Sequence, residues 1–269
     1  MKNIRYILGF LYKIPFFGYL IKTTVILMRA PYLLARIQRL EALLQKKEQL
    51  LETKNSFDEF YVAFEEKFRG SREEIKKRAN QYLSYIKDLP FETNKTKILD
   101  IGCGRGEWLE LLKENGYNAR GIDINSLMVK ISKDLFLDAL EADAIEYLGI
   151  QKDESISCIS GFHIVEHLPF ELLMTLLKES HRVLQKGGMV LFETPNPENL
   201  VVGAHMFYKD MTHKNPLPPD VAQFLLEYNG FTSVQILRVN GSFDVDFKND
   251  FLNFQFNSQF DYAVVGYKL

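Results

Sequence analysis

Cysteine is almost missing from this 269-residue chain, which has two. Cys103 lies inside a glycine-rich segment and Cys158 in an apolar run, so they make no disulfide framework and read as small packing residues of a reducing compartment. Long apolar runs are missing as well. In the aromatic-rich stretch 7–28, Lys13 and Lys22 leave no uncharged run longer than the eight residues 14–21, against the roughly 18–20 that a bilayer-spanning helix needs. Pro15 and Gly18 are expected to break any helix there. No small-residue cleavage site follows, so a signal peptide is not expected and the chain is placed in the cytoplasm. The net charge of −2 excludes the basic excess of a nucleic-acid partner.

Acidic residues are absent from the first forty positions. Residues 1–54 hold ten Lys or Arg against three Glu, a net of +7, and the other 23 basic and 32 acidic residues leave −9. Residues 1–54 are therefore expected to form a basic apolar arm lying on an anionic membrane surface, with a protein partner as the alternative. Leu33, Ile37, Leu40, Leu44, Lys47 and Leu51 alternate spacings of four and three, a short heptad that fits either a helical hairpin with the next segment or a homodimer. Residues 55–95 read as a helical cap, with Phe57, Phe60, Tyr61 and Phe64 on one helix, a break at RGSR, and a capping box from Ser71 to Glu74.

An apolar content of 46% of the residues suffices for the core of one α/β domain, expected over 96–269. Its most informative segment is LDIGCGRGEW. A strand from Lys97 to Ile101 enters a turn made by Asp100, Gly102, Gly104 and Gly106, and an amphipathic helix with Trp108, Leu109, Leu111 and Leu112 leaves it. Glycines allow positive φ and a close ligand, while the first turn of the helix offers N–H groups. Asp123 closes a second short strand, where its carboxylate can accept both hydroxyls of a ribose. Asp143 follows a third, in EADA, placed for an exocyclic adenine amine; helix capping is the competing use of each acid.

The D-x-G-x-G-x-G turn followed by these two acids resembles the class I S-adenosylmethionine-dependent methyltransferases. That resemblance implies a doubly wound, Rossmann-like α/β sheet of seven strands in the order 3-2-1-4-5-7-6, the last antiparallel, with S-adenosylmethionine as cofactor. Strands are expected at Ser155 to Gly161, Met189 to Glu193 after a Gly187-Gly188 turn, Ser233 to Val239 and Tyr262 to Gly266, and a helix at Asp220 to Tyr228. Arg69 or Arg72 is expected to reach the methionine carboxylate of the cofactor, and Arg72 is the preferred one. GRGEWLELL, GFHIVEHLPF, ETPNPEN and FYKDMTHKNPLPP are also similar to a bacterial subfamily of O-antigen and surface-polysaccharide loci. This likeness implies methyl transfer to a glycan, lipid-linked or at a chain end, by an enzyme peripheral on the inner membrane face. A quinone precursor is the alternative acceptor, and a non-catalytic scaffold for membrane-associated glycosyltransferases is a further alternative.

The expected chemistry sits after the fourth strand, in HIVEH. If a helical turn begins there, His163, Glu166 and His167 share a face by the i, i+3, i+4 rule, and His213 comes from a later loop. Such a set suits a divalent metal ion, Mg, Mn or Zn. It resembles the E-x-x-E-H motif of small-RNA 2′-O-methyltransferases and ubiquinone-pathway O-methyltransferases, with His163 in place of the first Glu. A metal would hold vicinal oxygens of the acceptor; without one, His167 or His163 is the general base. TPNPEN, beyond the fifth strand, is the expected acceptor site, with Asn196, Glu198 and His213 for polar groups and Tyr208 beside Phe207 for stacking.

Overall fold

The computed structural model describes residues 15–269, and residues 1–14 of the expected basic arm lie outside the described part. Residues 1–57 and 58–269 form two compact units. In the first, helix α1 (Pro15–Phe68) runs continuously into the second unit. Gly18 is carried inside this helix instead of breaking it, and what precedes Pro15 lies outside the described residues. The heptad residues 33–51 fall within the same helix. No described helix is long and apolar enough to cross a membrane.

The second unit takes up its turn at Gly70, whose φ of +105° ends the helix. Ser71 and Glu74 then close a reciprocal capping box on α2 (Arg72–Ala79), and α3 (Leu83–Lys87) leads to β1 (Lys97–Ile101). The rest alternates as α4 (Glu107–Glu114), β2 (Asn118–Asp123), α5 (Ser126–Asp134), β3 (Ala139–Glu141), α6 (Ala144–Gly149), β4 (Ile156–Phe162), α7 (Phe170–Val183), β5 (Leu184–Pro195), α8 (Pro219–Tyr228), β6 (Thr232–Val239), α9 (Asp250–Asn257) and β7 (Asp261–Tyr267). The seven strands form one sheet in the order 3-2-1-4-5-7-6, parallel except for β7, which is antiparallel to both β5 and β6. This is the expected doubly wound fold.

The central strands bury residues on both faces, so they read as continuous apolar runs. One core layer joins Leu99, Ile101, Ile159, Val190 and Phe192 to Leu173, Leu176 and Leu177 of α7 and Leu225 and Leu226 of α8. The other joins Ile98, Cys158, Met189 and Leu191 to Tyr82, Trp108 and Leu112. Both cysteines are buried and free. Strand β5 begins before Gly187, so the expected turn lies within a longer strand. Helix α9, which carries an Asn249 cap and Phe251, Phe254 and Phe256, had no counterpart in the sequence reading.

Candidate active site

The glycine turn lies at the carboxyl end of β1, where open parallel sheets expose their ligand crevice. Gly102, Gly104 and Gly106 all have positive φ. A Cβ at Gly106 would stand 2.6 Å from Ser132 Oγ, so the loop closes only with glycine there. Asp100 is buried; its Oδ1 accepts from Ser160 Oγ at 2.7 Å, and Ser160 accepts from the Trp108 indole at 3.0 Å. Burial pushes the Asp100 carboxyl up to about 7 against the opposing Ser160 hydrogen bond. Asp123 accepts from the Gly104 and Asn125 N–H groups at 2.9 and 2.8 Å. Burial nevertheless raises its pKa. Asn125, not Asp123, caps the next helix. Asp143 does cap α6, with Oδ1 accepting from Ile145 and Glu146; the use anticipated as its competitor is the one its Oδ1 serves.

Arg72 is held by Glu110 at 2.6 Å and by the Arg105 carbonyl at 2.8 Å at the α2–α4 junction, with its Nη2 buried and without a hydrogen-bond partner. Arg69 instead lines a narrow cleft together with Asp100, Gly102, Trp108, His163 and Glu193. The same Arg69 and His163 line a second, larger cavity of about 700 Å³, so the two spaces adjoin. Tyr61, Phe64, Phe68, Phe207 and Phe260 supply its aromatic walls, and Lys67, Lys209 and Asp210 bring charge among them.

At the cavity lie His163, His167 and His213, but the structure gives them different parts. A short 3₁₀ turn, Val165–His167, replaces the expected helical turn, and His163 precedes it at φ +55°. His163 Nδ1 is 3.3 Å from Glu166 Oε1 and Nε2 is 3.4 Å from Glu193 Oε1. Burial alone would lower its pKa; Glu166 and Glu193 more than reverse this and lift it to about 10. His163 thus stands as the positive partner of two carboxylates, and with Glu193 and Asp261 it also forms a second group whose ligand atoms lie close enough to hold a metal ion. Tyr82 donates to the other Glu193 oxygen, completing that buried cluster.

Glu166, His167 and His213 remain as one group whose ligand atoms lie within 4.8 Å of one another. Thr212 donates its only hydroxyl proton to Asp210 Oδ1 at 2.6 Å, so its contact of 2.9 Å with His167 is a bond donated by Nδ1–H. His213 Nδ1 likewise must donate to the Phe207 carbonyl at 2.7 Å. In the neutral rings both lone pairs are then on Nε2, and His213 Nε2 is 3.8 Å from Glu166 Oε1. Burial holds His167 below the usual imidazole range. Glu166 is fully buried; Oε2 accepts from Thr194, while Oε1 has no hydrogen bond of good geometry and sits 3.3 Å from His163 Nδ1. A buried carboxylate beside two anchored imidazoles is a donor set that suits a divalent cation.

The expected acceptor loop does other work. Asn196 is buried and ties Glu198 N–H to the Gln259 carbonyl. Glu198 is bidentate with Arg238 at 2.6 and 2.7 Å. Tyr208 is 62% exposed while Phe207 faces the cavity. Two prolines deprive this segment of N–H donors, so its asparagine side chains serve the chain's own backbone. The sequence reading missed Lys67, Asn240, Phe260 and Asp261, which also line the cavity; only the aromatic run through Tyr61 and Phe64 signalled it.

A seven-stranded sheet of this order with a glycine turn after its first strand defines the architecture of S-adenosylmethionine-dependent methyltransferases. The family profile described as a methyltransferase domain matches residues 63–236, and the chain belongs to that family. A solved S-adenosylmethionine-dependent methyltransferase from Archaeoglobus fulgidus is 36% identical with a TM-score of 0.69, covering 78% of this chain and 100% of that one. A Thermotoga maritima methyltransferase, described as a possible histamine N-methyltransferase, shares the fold at 19% identity and TM-score 0.57, over 79% and 98% of the two chains. Among curated proteins, the ubiquinone biosynthesis O-methyltransferase of Idiomarina loihiensis is 31% identical over 108 residues, 37% of this chain and 42% of that protein. That of Nitrosomonas europaea is 25% identical over 122 residues, 42% and 50% of the two. The chain spans no more than half the length of these curated relatives. The protein is an S-adenosylmethionine-dependent methyltransferase.

Proposed function

We propose that this enzyme methylates one of two neighbouring oxygens on an acceptor with an apolar ring body, a lipid-soluble hydroxylated aromatic of the quinone-precursor class. The observation that carries the reading is the buried Glu166 Oε1, ion-paired with His163 at 3.3 Å but without a hydrogen bond of good geometry, beside the imidazoles of His167 and His213, in an aromatic-walled cavity that adjoins the glycine-loop cleft. The printed activity of the ubiquinone-pathway relatives supports the same acceptor class.

When bound, S-adenosylmethionine supplies a sulfonium methyl group for in-line displacement. The chain's own groups bind and orient. Asp123 would receive the ribose hydroxyls and Asp100 the methionine ammonium, while Arg69, lining the cleft, would meet the carboxylate. Tyr61, Phe64 and Phe207 would hold the acceptor ring and keep water from it. Glu166, His167 and His213 would hold a divalent cation that grips both acceptor oxygens and eases ionisation of one. His163 stays protonated between Glu166 and Glu193 and fixes both carboxylates in place.

Chelation is expected to abolish transfer to a catechol-type acceptor, with recovery on adding Mg²⁺, Mn²⁺ or Zn²⁺, while calorimetric cofactor affinity changes less than about twofold. Glu166→Gln is expected to do the same. Full activity of metal-stripped protein would reject the cation and leave neutral His167 as general base, its rate titrating with an imidazole pKa. A surface glycan is the second reading, favoured by Lys67, Lys209, Asp210 and Asn240 among the rings, a mixture that a pyranose with its apolar face also suits. Transfer to glycan extracts, with none to hydroxylated aromatics, would decide for the glycan.

A further inference from the structure

Helix α1 exposes a stripe of large aliphatic residues. Ile37 is 50%, Leu40 52%, Leu44 60% and Leu51 49% exposed, and with Leu33 and Lys47 they alternate spacings of three and four. The same register continues towards the N-terminus in sequence through Phe16, Tyr19, Thr23, Ile26 and Ala30, so that it is sustained from 16 to 51. Exposed Leu34, Leu43 and Leu50 flank the stripe at its e and g positions and widen it; an exposed apolar face in this register is one that a second helix covers.

We propose that this seam pairs two copies of the chain as a parallel, in-register coiled coil. Ile37, Leu44 and Leu51 take position a, and Leu33, Leu40 and Lys47 position d; β-branched Ile37 at a with Leu40 at d favours the parallel two-stranded form in that heptad, and the flanking charges carry the rest of the argument. In this register Arg36 is at g and Glu41 is at the e position of the next heptad. Position g of one chain faces that e position of the other in a parallel pair, so Arg36 meets the second copy's Glu41 on both sides of the seam. Lys47, the one charged seam residue between 33 and 51, packs beside e-position Glu48 of the second copy. Within a single helix neither pair interacts, because residues one or five apart do not face each other. Among the described residues, Arg36, Glu41, Lys47 and Glu48 are all exposed.

Charge also decides the direction and the occupant. An antiparallel pair would bring e positions together and set Glu41 and Glu48 acid against acid. An anionic lipid surface would meet the same two carboxylates along the edge of the stripe, and is disfavoured there.

The test uses the full chain. Sedimentation equilibrium at micromolar concentration is expected to give twice the chain mass of 31.3 kDa. Ile37→Asp with Leu44→Asp is expected to yield monomer, with cofactor affinity by calorimetry unchanged as proof that residues 58–269 remain folded. Arg36→Glu is expected to weaken dimerisation about tenfold, and adding Glu41→Arg to restore it. Leu40→Cys is expected to form an interchain disulfide on mild oxidation. A monomeric wild-type chain, including one that binds anionic vesicles as a monomer, would overturn the proposal, as would a dimer indifferent to the two Asp substitutions. Absence of both charge-swap rescue and the disulfide of the Leu40→Cys variant would overturn the parallel register.

Discussion

Asp100 closes the end of β1 with its carboxyl buried and one oxygen bound to Ser160. Burial keeps this group largely neutral below about pH 7, whereas a cofactor ammonium needs the carboxylate. Cofactor binding must then expel a proton at low pH, and by linkage affinity rises with pH, about tenfold per unit at the steepest, and levels off above about pH 7. Calorimetry between pH 5 and 8 is expected to show this profile, and Asp100→Asn to flatten and weaken it. A flat wild-type profile would place the ammonium elsewhere. At this scale the sequence was a good guide where a side chain serves the ligand crevice of the sheet. Asp100, Asp123 and the Glu166-His167-His213 group stand where strand ends put them. It was a poor guide where ligand and backbone compete for one side chain. Asn196 and Glu198 look suited to sugar hydroxyls, yet burial obliges Asn196 to bond backbone and Arg238 claims Glu198. His163 was read with Glu166 alone, yet Glu193, thirty residues away on β5, stands at its other nitrogen. No local spacing carries that contact.

The glycine loop is the element on which the cofactor reading depends, and its tolerance can be stated residue by residue. Gly106 caps α4 at φ +82°, and a Cβ would meet Ser132 Oγ at 2.6 Å and Leu137 Cδ1 at 2.7 Å. Gly106→Ala is expected to cost about 2–4 kcal/mol, from left-handed strain and overpacking together, and to weaken cofactor binding more than tenfold in protein that remains folded. Gly149 ends α6 with nothing within 4 Å of a Cβ. Gly149→Ala is expected to be neutral or to stabilise by up to about 1 kcal/mol. Urea unfolding of the two variants side by side checks the contrast; equal losses would mean that the loop is slack. The strands around this loop were legible because parallel strands buried on both faces appear as compact apolar runs between glycine turns. Helix α9 was not, since none of its side chains is buried and its phenylalanines give no helical period against a core. Gly18 misled for another reason: one glycine costs a helix only about 1 kcal/mol, and α1 carries it inside.

The whole molecule divides its charge unevenly, +7 over residues 1–54 and −9 over the remainder. That polarity motivates the proposal that residues 1–31 meet an anionic membrane, while the stripe at 33–51 pairs two copies of the chain. Residues 1–31 hold five Lys or Arg and no acid, and each cation near such a surface adds about 1 kcal/mol, screened by salt over about 10 Å at 0.1 M. A parallel dimer would present two such segments, so vesicle binding is expected to be stronger for the dimer than for the Ile37→Asp, Leu44→Asp monomer. Deleting residues 1–31 is expected to abolish salt-sensitive flotation with anionic vesicles while turnover of a water-soluble catechol stays within about twofold, since the cavity is lined from Tyr61 onward. The contrast with zwitterionic vesicles separates charge from greasy adhesion: binding to both, insensitive to salt, would assign the segment to apolar insertion. Full-length protein that ignores anionic vesicles altogether would leave residues 1–31 to a protein partner, and the acceptor would then have to reach the cavity through water or on a carrier.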